Sequence, residues 1–287
     1  MAKRNRIQNI ETRLKEGRGT GIGEDYIPWI KIQDVASKGR ATRVKGIKTN
    51  RQHELLSDME RDYFYLLDFS DDIVDIREQY PLLPIEDTMD IALELGVKHP
   101  SDPQSGEPIV MTSDFLITLC RNNKYIEVAR TIKSKDDLMN RRILEKFEIE
   151  RLYWKRKEID WGIVTGEEIN KQTSHNISFV HGYKTLDNID SFSQISALVT
   201  NDLVLEFLKR IIDDDRSMRD ICSEFDDDLV LEKGSGLSIF KFLIINRIID
   251  IDIDIDIDID IIQKIDVNKN IIIKGVREEE IKKVEAI

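Results

Sequence analysis

Three features of the chain predict an α/β protein with a second, smaller domain. A hairpin of strand-forming residues occupies Met111 to Lys133, with Ile117, Leu119, Tyr125, Ile126 and Val128 around the turn cluster Arg121-Asn122-Asn123-Lys124. Helix and strand patterns lie on both sides of it, in the order helix, strand, hairpin, helix, strand, which gives a mixed sheet with helices on its faces over residues 1–170. Near Gly166 the texture becomes polar, and residues 171–287 read as three helices followed by a two-stranded ribbon, the pattern of a winged helix.

The elements follow in order. Arg6 to Glu16 is a short charged helix candidate that runs into Gly17-Arg18-Gly19-Thr20-Gly21-Ile22-Gly23. No strand precedes these glycines and no Gly-Lys-Ser/Thr follows, so a phosphate loop is excluded and a flexible basic arm is expected. Tyr26 to Val35 is a small apolar anchor. Lys38 to Arg51 is basic and turn-rich, either a solvated loop or a surface for a DNA backbone. Ser57 is a natural N-cap for a helix whose stripe holds Met59, Tyr63, Phe64, Leu66 and Leu67. Glu60 fits the capping-box position of that helix and also lies at the edge of its stripe, so it reads either as a cap or as a site residue.

Asp72 to Leu83 is a strand that ends at Pro81 and Pro84, and Ile85 to Ser105 is a helical or loop excursion. Asp136 to Lys157 is the clearest helix, with Leu138, Ile143, Leu144, Phe147 and Trp154 on one face and Glu150 bordering it. Ile159 to Thr165 is a further strand, and Gly166 to His175 reads as linker. Helices are expected at Leu203 to Ile212, Arg219 to Leu231 and Leu237 to Arg247. The Ile-Asp repeat from Ile248 to Ile262 is either a strand with one apolar and one acidic face or low-complexity sequence, and Asn270 to Val276 is the last strand.

Composition limits the function. Of 287 residues, 40% are hydrophobic and 34% charged, the profile of a globular chain with a sizeable core. Net charge is -12, but it is unevenly spread: residues 1–50 carry roughly +7 and residues 201–287 roughly -9. The basic front can meet phosphate, whereas the acidic end suits a protein partner. Two cysteines, Cys120 and Cys222, support neither a zinc site nor a disulfide framework. No apolar run spans a membrane and MAKRNRIQNI is no secretory signal, so a cytoplasmic location is expected.

The hairpin concentrates the chemistry. With Asn122 and Asn123 at the centre of the turn, Asp114 falls opposite Thr131, and alternation puts Lys133 one pleat further on the same face. A carboxylate and a lysine on neighbouring strands form the core of a Mg²⁺ nuclease site, the carboxylate holding a hard cation and the lysine serving the attacking water and the phosphate. The same pair also fits an ordinary exposed ion pair.

KEGRGTGIGEDYIPW, HELLSDME, DIVDIREQYPLLP, MTSDFL and LEKFEIERLYW occur in that order, and together they resemble the TnsA family of transposon-end endonucleases. The resemblance covers roughly Arg13 to Asn170 and is weaker over Leu203 to Val276. It implies a restriction-endonuclease-like fold and a Mg²⁺ site, with Mn²⁺ as a substitute. The site would combine Glu60, Asp114, Thr131 and Lys133, with Glu150 as a further acidic position. It further implies action on transposon-end DNA beside a TnsB-like transposase, with a TnsC-like ATP-dependent regulator docking on the C-terminal domain. One position departs from the pattern: two residues before the site lysine, restriction-like nucleases commonly carry Glu or Asp and TnsA carries Gln, where this chain has Thr131. A hydroxyl is a poorer metal ligand, which shifts the expected ligand to the Ile132 carbonyl or to water. A stand-alone restriction or repair nuclease and a non-catalytic transposition adaptor are the alternatives.

Overall fold

The computed structural model describes residues 10–35, 40–103, 105–212, 214–251 and 273–277. These form two compact units, Met1–Ile169 and Asn170–Ile287. Most of the Ile-Asp repeat, the first residues of the basic start, Lys38 and Asp213 lie outside the described residues.

In the first unit, α1 (Ile10–Lys15) leads into the glycine run. The strands β1 (Thr42–Lys45) and β2 (Gln52–Leu55) make a small antiparallel pair. Helix α2 (Asp58–Phe69) starts on Ser57, whose side chain accepts the Glu60 N–H. Next come β3 (Ile73–Pro81), α3 (Ile85–Glu94), β4 (Thr112–Arg121), β5 (Lys124–Ile132), α4 (Arg141–Arg156) and β6 (Asp160–Val164). The sheet has the order β3-β4-β5-β6, antiparallel except for the parallel pair β5/β6. A parallel neighbour needs a crossover, and α4 is that crossover. Helix α4 begins later than its periodicity suggests because Asn140 caps it, accepting the N–H groups of Arg142 and Ile143. The residues before the cap, Asp136–Met139, form a 3₁₀ turn.

Apolar alternation builds a core on each face of the sheet. Phe64 and Leu67 of α2 pack with Ile76, Phe115, Ile117, Val128 and Ile132 on one face. Ile91, Ile149, Tyr153 and Trp154 from α3 and α4 pack with Leu116 and Ala129 on the other. Each fully buried side chain of this size contributes about 1.5–3 kcal/mol. Asn122 and Asn123 have φ of 51° and 57°, the left-handed pair of a tight hairpin turn, and the ladder runs from Arg121↔Lys124 to Phe115↔Arg130.

The glycine run is not a flexible arm. It folds back on itself, with Gly19 N–H bonded to the Ile27 carbonyl and Ile27 N–H to the Thr20 carbonyl, and then lies along β3, where Trp29 N–H reaches the Gln79 carbonyl at 3.2 Å. Tyr26 donates its hydroxyl to the Glu78 carbonyl and stacks on Tyr80. The glycines are there for space and handedness. A Cβ on Gly19 (φ 77°) would sit 2.3 Å from Pro81, and one on Gly21 (φ 91°) 2.3 Å from the Asp25 carbonyl. Turn-like composition suggests mobility here only because the partner strand is distant in sequence.

The second unit holds α5 (Lys171–Val180), α6 (Ala197–Ile211), α7 (Met218–Asp228), α8 (Ser235–Ile245) and the antiparallel pair β7 (Ile249–Ile251) and β8 (Ile273–Val276). Part of α5 occupies the stretch that reads as linker. Asn170 caps it, and its buried residues include Thr173, Ser174 and Asn176, so polar side chains on the inner face hide it from an apolar-periodicity reading. Phe207 and Phe225 meet edge to face at 5.0 Å in the core of this unit. The Asp226 carboxylate accepts the Gly234 and Gly236 N–H groups at the start of α8, both at 2.7 Å. Among the described residues no helix is long and apolar enough to cross a membrane.

Candidate active site

The sheet changes character at one end. On β3, Glu78 and Tyr80 pair with Phe115 and Ser113 of β4, but Gln79 between them has φ of 49°. On β4, Phe115 and Ile117 face α2, so alternation would send Ser113 the same way. Instead its hydroxyl accepts the Trp154 indole N–H on the α4 face. The β4/β5 ladder stops at Phe115↔Arg130, and beyond it the Asp114 carboxylate takes the Ile132 N–H at 2.7 Å in place of a main-chain partner.

This turnover sorts the expected site residues into two groups. The first is Glu60 and Asp114. Glu60 Oε1 accepts the Ser57 hydroxyl and Oε2 the Leu56 N–H, both at 2.9 Å, so the residue does act as a cap. Its Oε2 also lies 3.4 Å from Gln79 Nε2, which is 3.3 Å from Asp114 Oδ1. One neutral amide thus serves two carboxylates. Burial, reinforced by the Asp114 carboxylate, pushes Glu60 up to about 8, against the Leu56 N–H, the Ser57 hydroxyl and the Lys133 ammonium. Burial also raises Asp114, opposed by the Ile132 N–H, Lys133 and Gln79. Lys133 follows the end of β5, half-buried, with its N–H on the Val164 carbonyl, and its charge acts on both acids.

The second group is Glu150 and Thr131. Glu150 Oε1 accepts the Thr131 and Ser113 hydroxyls, and Trp161 Nε1 lies 3.3 Å from Thr131 Oγ1. The Thr131 hydroxyl is therefore committed to the α4 face. Extending the ladder by one step would oppose Asp114 and Thr131, but the pairing ends before them and their side chains make separate contacts, with side-chain alternation already broken at Ser113. Burial pushes Glu150 up to about 7, against the two hydroxyls and with a further push from Asp114.

A divalent cation fits the first group. Two carboxylates converge there, neither forms an ion pair among the described residues, and each is raised by burial. Among the described residues no three acidic, histidine or cysteine side chains converge as metal ligands. Two carboxylates and a main-chain carbonyl, with water and a substrate phosphate completing the shell, match the way Mg²⁺ is usually held.

Comparison with known proteins agrees with the resemblance. The sequence model described as TnsA-like endonuclease N terminal matches residues 70–166, and the one described as TnsA endonuclease C terminal matches residues 168–253. The transposition protein TnsA of transposon Tn7 from Escherichia coli is 39% identical over 243 residues, 84% of each chain. The chain belongs to the TnsA endonuclease family. The N-terminal match of this TnsA-family chain spans Gln79, Asp114, Thr131, Lys133 and Glu150 and begins after Glu60, whose place beside Asp114 is read from geometry.

Sequence reasoning missed Gln79, Ser113 and Trp161. Gln79 sits in a stretch that reads as an ordinary strand, and only its backbone conformation marks it. Ser113, directly before Asp114, carries no signal that alternation breaks there.

Proposed function

We propose that this TnsA-family endonuclease is the metal-dependent subunit of a cut-and-paste transposition system that hydrolyses one DNA strand at each transposon end. The observation that carries the reading is the convergence of Glu60 and Asp114 on a single neutral donor, with Lys133 in electrostatic reach of both. Asp114 and Glu60 would hold Mg²⁺, or Mn²⁺ in its place, with the carbonyl of Ile132, the residue whose N–H Asp114 accepts, as a further ligand. A bound Mg²⁺ supplies Lewis-acid polarisation of a scissile phosphate and a lower pKa for attacking water. Lys133 binds a non-bridging phosphate oxygen and offsets the charge that grows on it. Glu150 acts from the opposite face, fixing Thr131 and Ser113 and through them the ends of β5 and β4.

The family also supports partners: a TnsB-like transposase for the other strand and a TnsC-like ATP-dependent regulator on the acidic C-terminal domain. The test is cleavage of a plasmid carrying transposon ends, with Mg²⁺ or Mn²⁺, by the protein alone and with the two partner proteins, each repeated with Lys133→Ala. Cutting that needs the partners and is lost in the variant supports the proposal. Cutting by the protein alone favours a stand-alone nuclease. Assembly without cutting favours an adaptor.

A further inference from the structure

Gln79 is a buried non-glycine residue held in the left-handed region within a strand, and such a conformation costs on the order of 1–3 kcal/mol. It persists because its surroundings fix it. Glu78 and Tyr80 are paired to β4 on either side, and the Gln79 carbonyl accepts the Trp29 N–H. Trp29 is itself immobilised: it is 1% exposed, the Arg13 guanidinium lies over its ring, and Arg18 donates to its carbonyl at 3.2 Å. The glycine run that brings Trp29 to β3 has no role in the chemistry proposed above.

The strained backbone has one consequence. Glu78 faces Arg51 and His53 on the α2 side, so alternation would turn Gln79 away. The left-handed turn sends it to Glu60 and Asp114 instead, with its Oε1 3.4 Å from the Thr112 hydroxyl. An amide nitrogen carries two protons, one for each carboxylate oxygen, so it fixes the gap between them. Both contacts, at 3.3 and 3.4 Å, are longer than the usual 2.9–3.0 Å and easily exchanged.

We infer that Gln79 is a positioning residue of the site: its side-chain amide holds Glu60 and Asp114 at cation-binding separation and yields its place when a divalent cation enters. The glycine run and Trp29 form the brace that keeps it there. This rests on the metal-site reading above. A neutral donor suits the task, because a lysine there would compete with the cation and an apolar residue would leave the two acidic side chains without their shared donor.

The experiment is Mn²⁺ titration calorimetry on the full-length protein and on Gln79→Gly, Gln79→Asn and Asp114→Asn, with thermal melts in EDTA. Glycine accepts the left-handed backbone without strain, so Gln79→Gly should melt at or above the wild-type temperature while binding Mn²⁺ about tenfold more weakly. The Mn²⁺ concentration for half-maximal cleavage should rise by the same factor, and the saturated rate should recover. Wild-type Mn²⁺ affinity in Gln79→Gly would overturn the inference. If that variant melts early, Gln79→Asn decides on the same criterion, since asparagine tolerates the backbone and draws the amide back by one methylene. Asp114→Asn separates the two readings. Lost binding there with unchanged binding in Gln79→Gly sinks only the role of Gln79, whereas unchanged binding in Asp114→Asn sinks the metal site and this inference together.

Discussion

Glu78 and Asp114 lie on adjacent strands of one sheet and have opposite electrostatic fates. Glu78 is fully buried, yet Arg51 grips it with two nitrogens, His53 Nδ1 lies 2.8 Å away and the Glu54 N–H 3.1 Å away. Burial pushes Glu78 up, but His53 and Arg51 outweigh it and hold it at about 2. His53 must donate from Nδ1 to that carboxylate, and its Nε2 meets the Thr49 hydroxyl at 2.7 Å. Around Asp114 and Glu60 the donors are one shared amide, main-chain N–H groups and a serine hydroxyl, and no ion pair forms among the described residues. A carboxylate held by a guanidinium and an imidazole is a structural tie between β2, β3 and the N-terminal segment. One left short of positive charge is a place for something to bind.

The widest separation is expected in function. Asp114→Ala should reduce cleavage to background while the protein still melts cooperatively, and Lys133→Ala should lower kcat by about 10²–10³-fold. Wild-type nicking by either purified variant would erase the distinction. Stability should show the reverse. Glu78→Ala leaves the buried Arg51 guanidinium without its counter-charge and the His53 ring without its carboxylate partner, at a cost of about 3–5 kcal/mol by denaturant unfolding. Asp114→Ala in EDTA should cost less, about 1–3 kcal/mol for the Ile132 N–H left without its acceptor, offset by removal of a carboxylate that burial disfavours. Equal losses in the two variants would show that both carboxylates are structural.

Next in size is the response to metal. At a hundredfold excess over Kd, Mn²⁺ should stabilise the wild type by about 2.7 kcal/mol. The gain should vanish in Asp114→Ala and persist in Thr131→Val, since the Thr131 hydroxyl is engaged by Glu150 on the other face. A gain that survives Asp114→Ala would place the ion elsewhere.

What the sequence disclosed tracks what local patterns control. Strand formers around Asn122-Asn123 set the hairpin register, and Ser57 and the apolar stripe set α2, so Asp114 and Glu60 could be nominated. The polar inner face of the helix within 166–180 gives no apolar period, and the glycine run carries no local sign of its order because its partner, β3, lies some fifty residues on. The division between Glu60–Asp114 and Thr131–Glu150 depends on a break in side-chain alternation at Ser113 and a left-handed Gln79. Both are tertiary outcomes that period-two alternation predicts against.

The smallest expected effect is a pH dependence, and it has opposite signs for the two carboxylates. Glu78 is depressed to about 2 from an ordinary 4.5, so its contribution is complete above 4.5 and is lost as the pH falls towards 2. Glu60 is raised to about 8, so between 4.5 and 8 the folded chain retains a proton that the unfolded chain releases, and stability falls as the pH rises through that window. Glu150, raised to about 7, adds to the same slope. Glu60→Gln keeps a capping-box side chain but cannot ionise. In EDTA it should match the wild type near pH 4.5 and exceed it at pH 8.5, because only the wild type must ionise a buried carboxyl there. With saturating Mn²⁺ the order at pH 8.5 should reverse, because the cation stabilises the charged wild-type site and the amide cannot replace the carboxylate. A variant that tracks the wild type across the whole range in EDTA would mean that Glu60 is only the cap of α2, and the contrast with Glu78 would then rest on Asp114 alone.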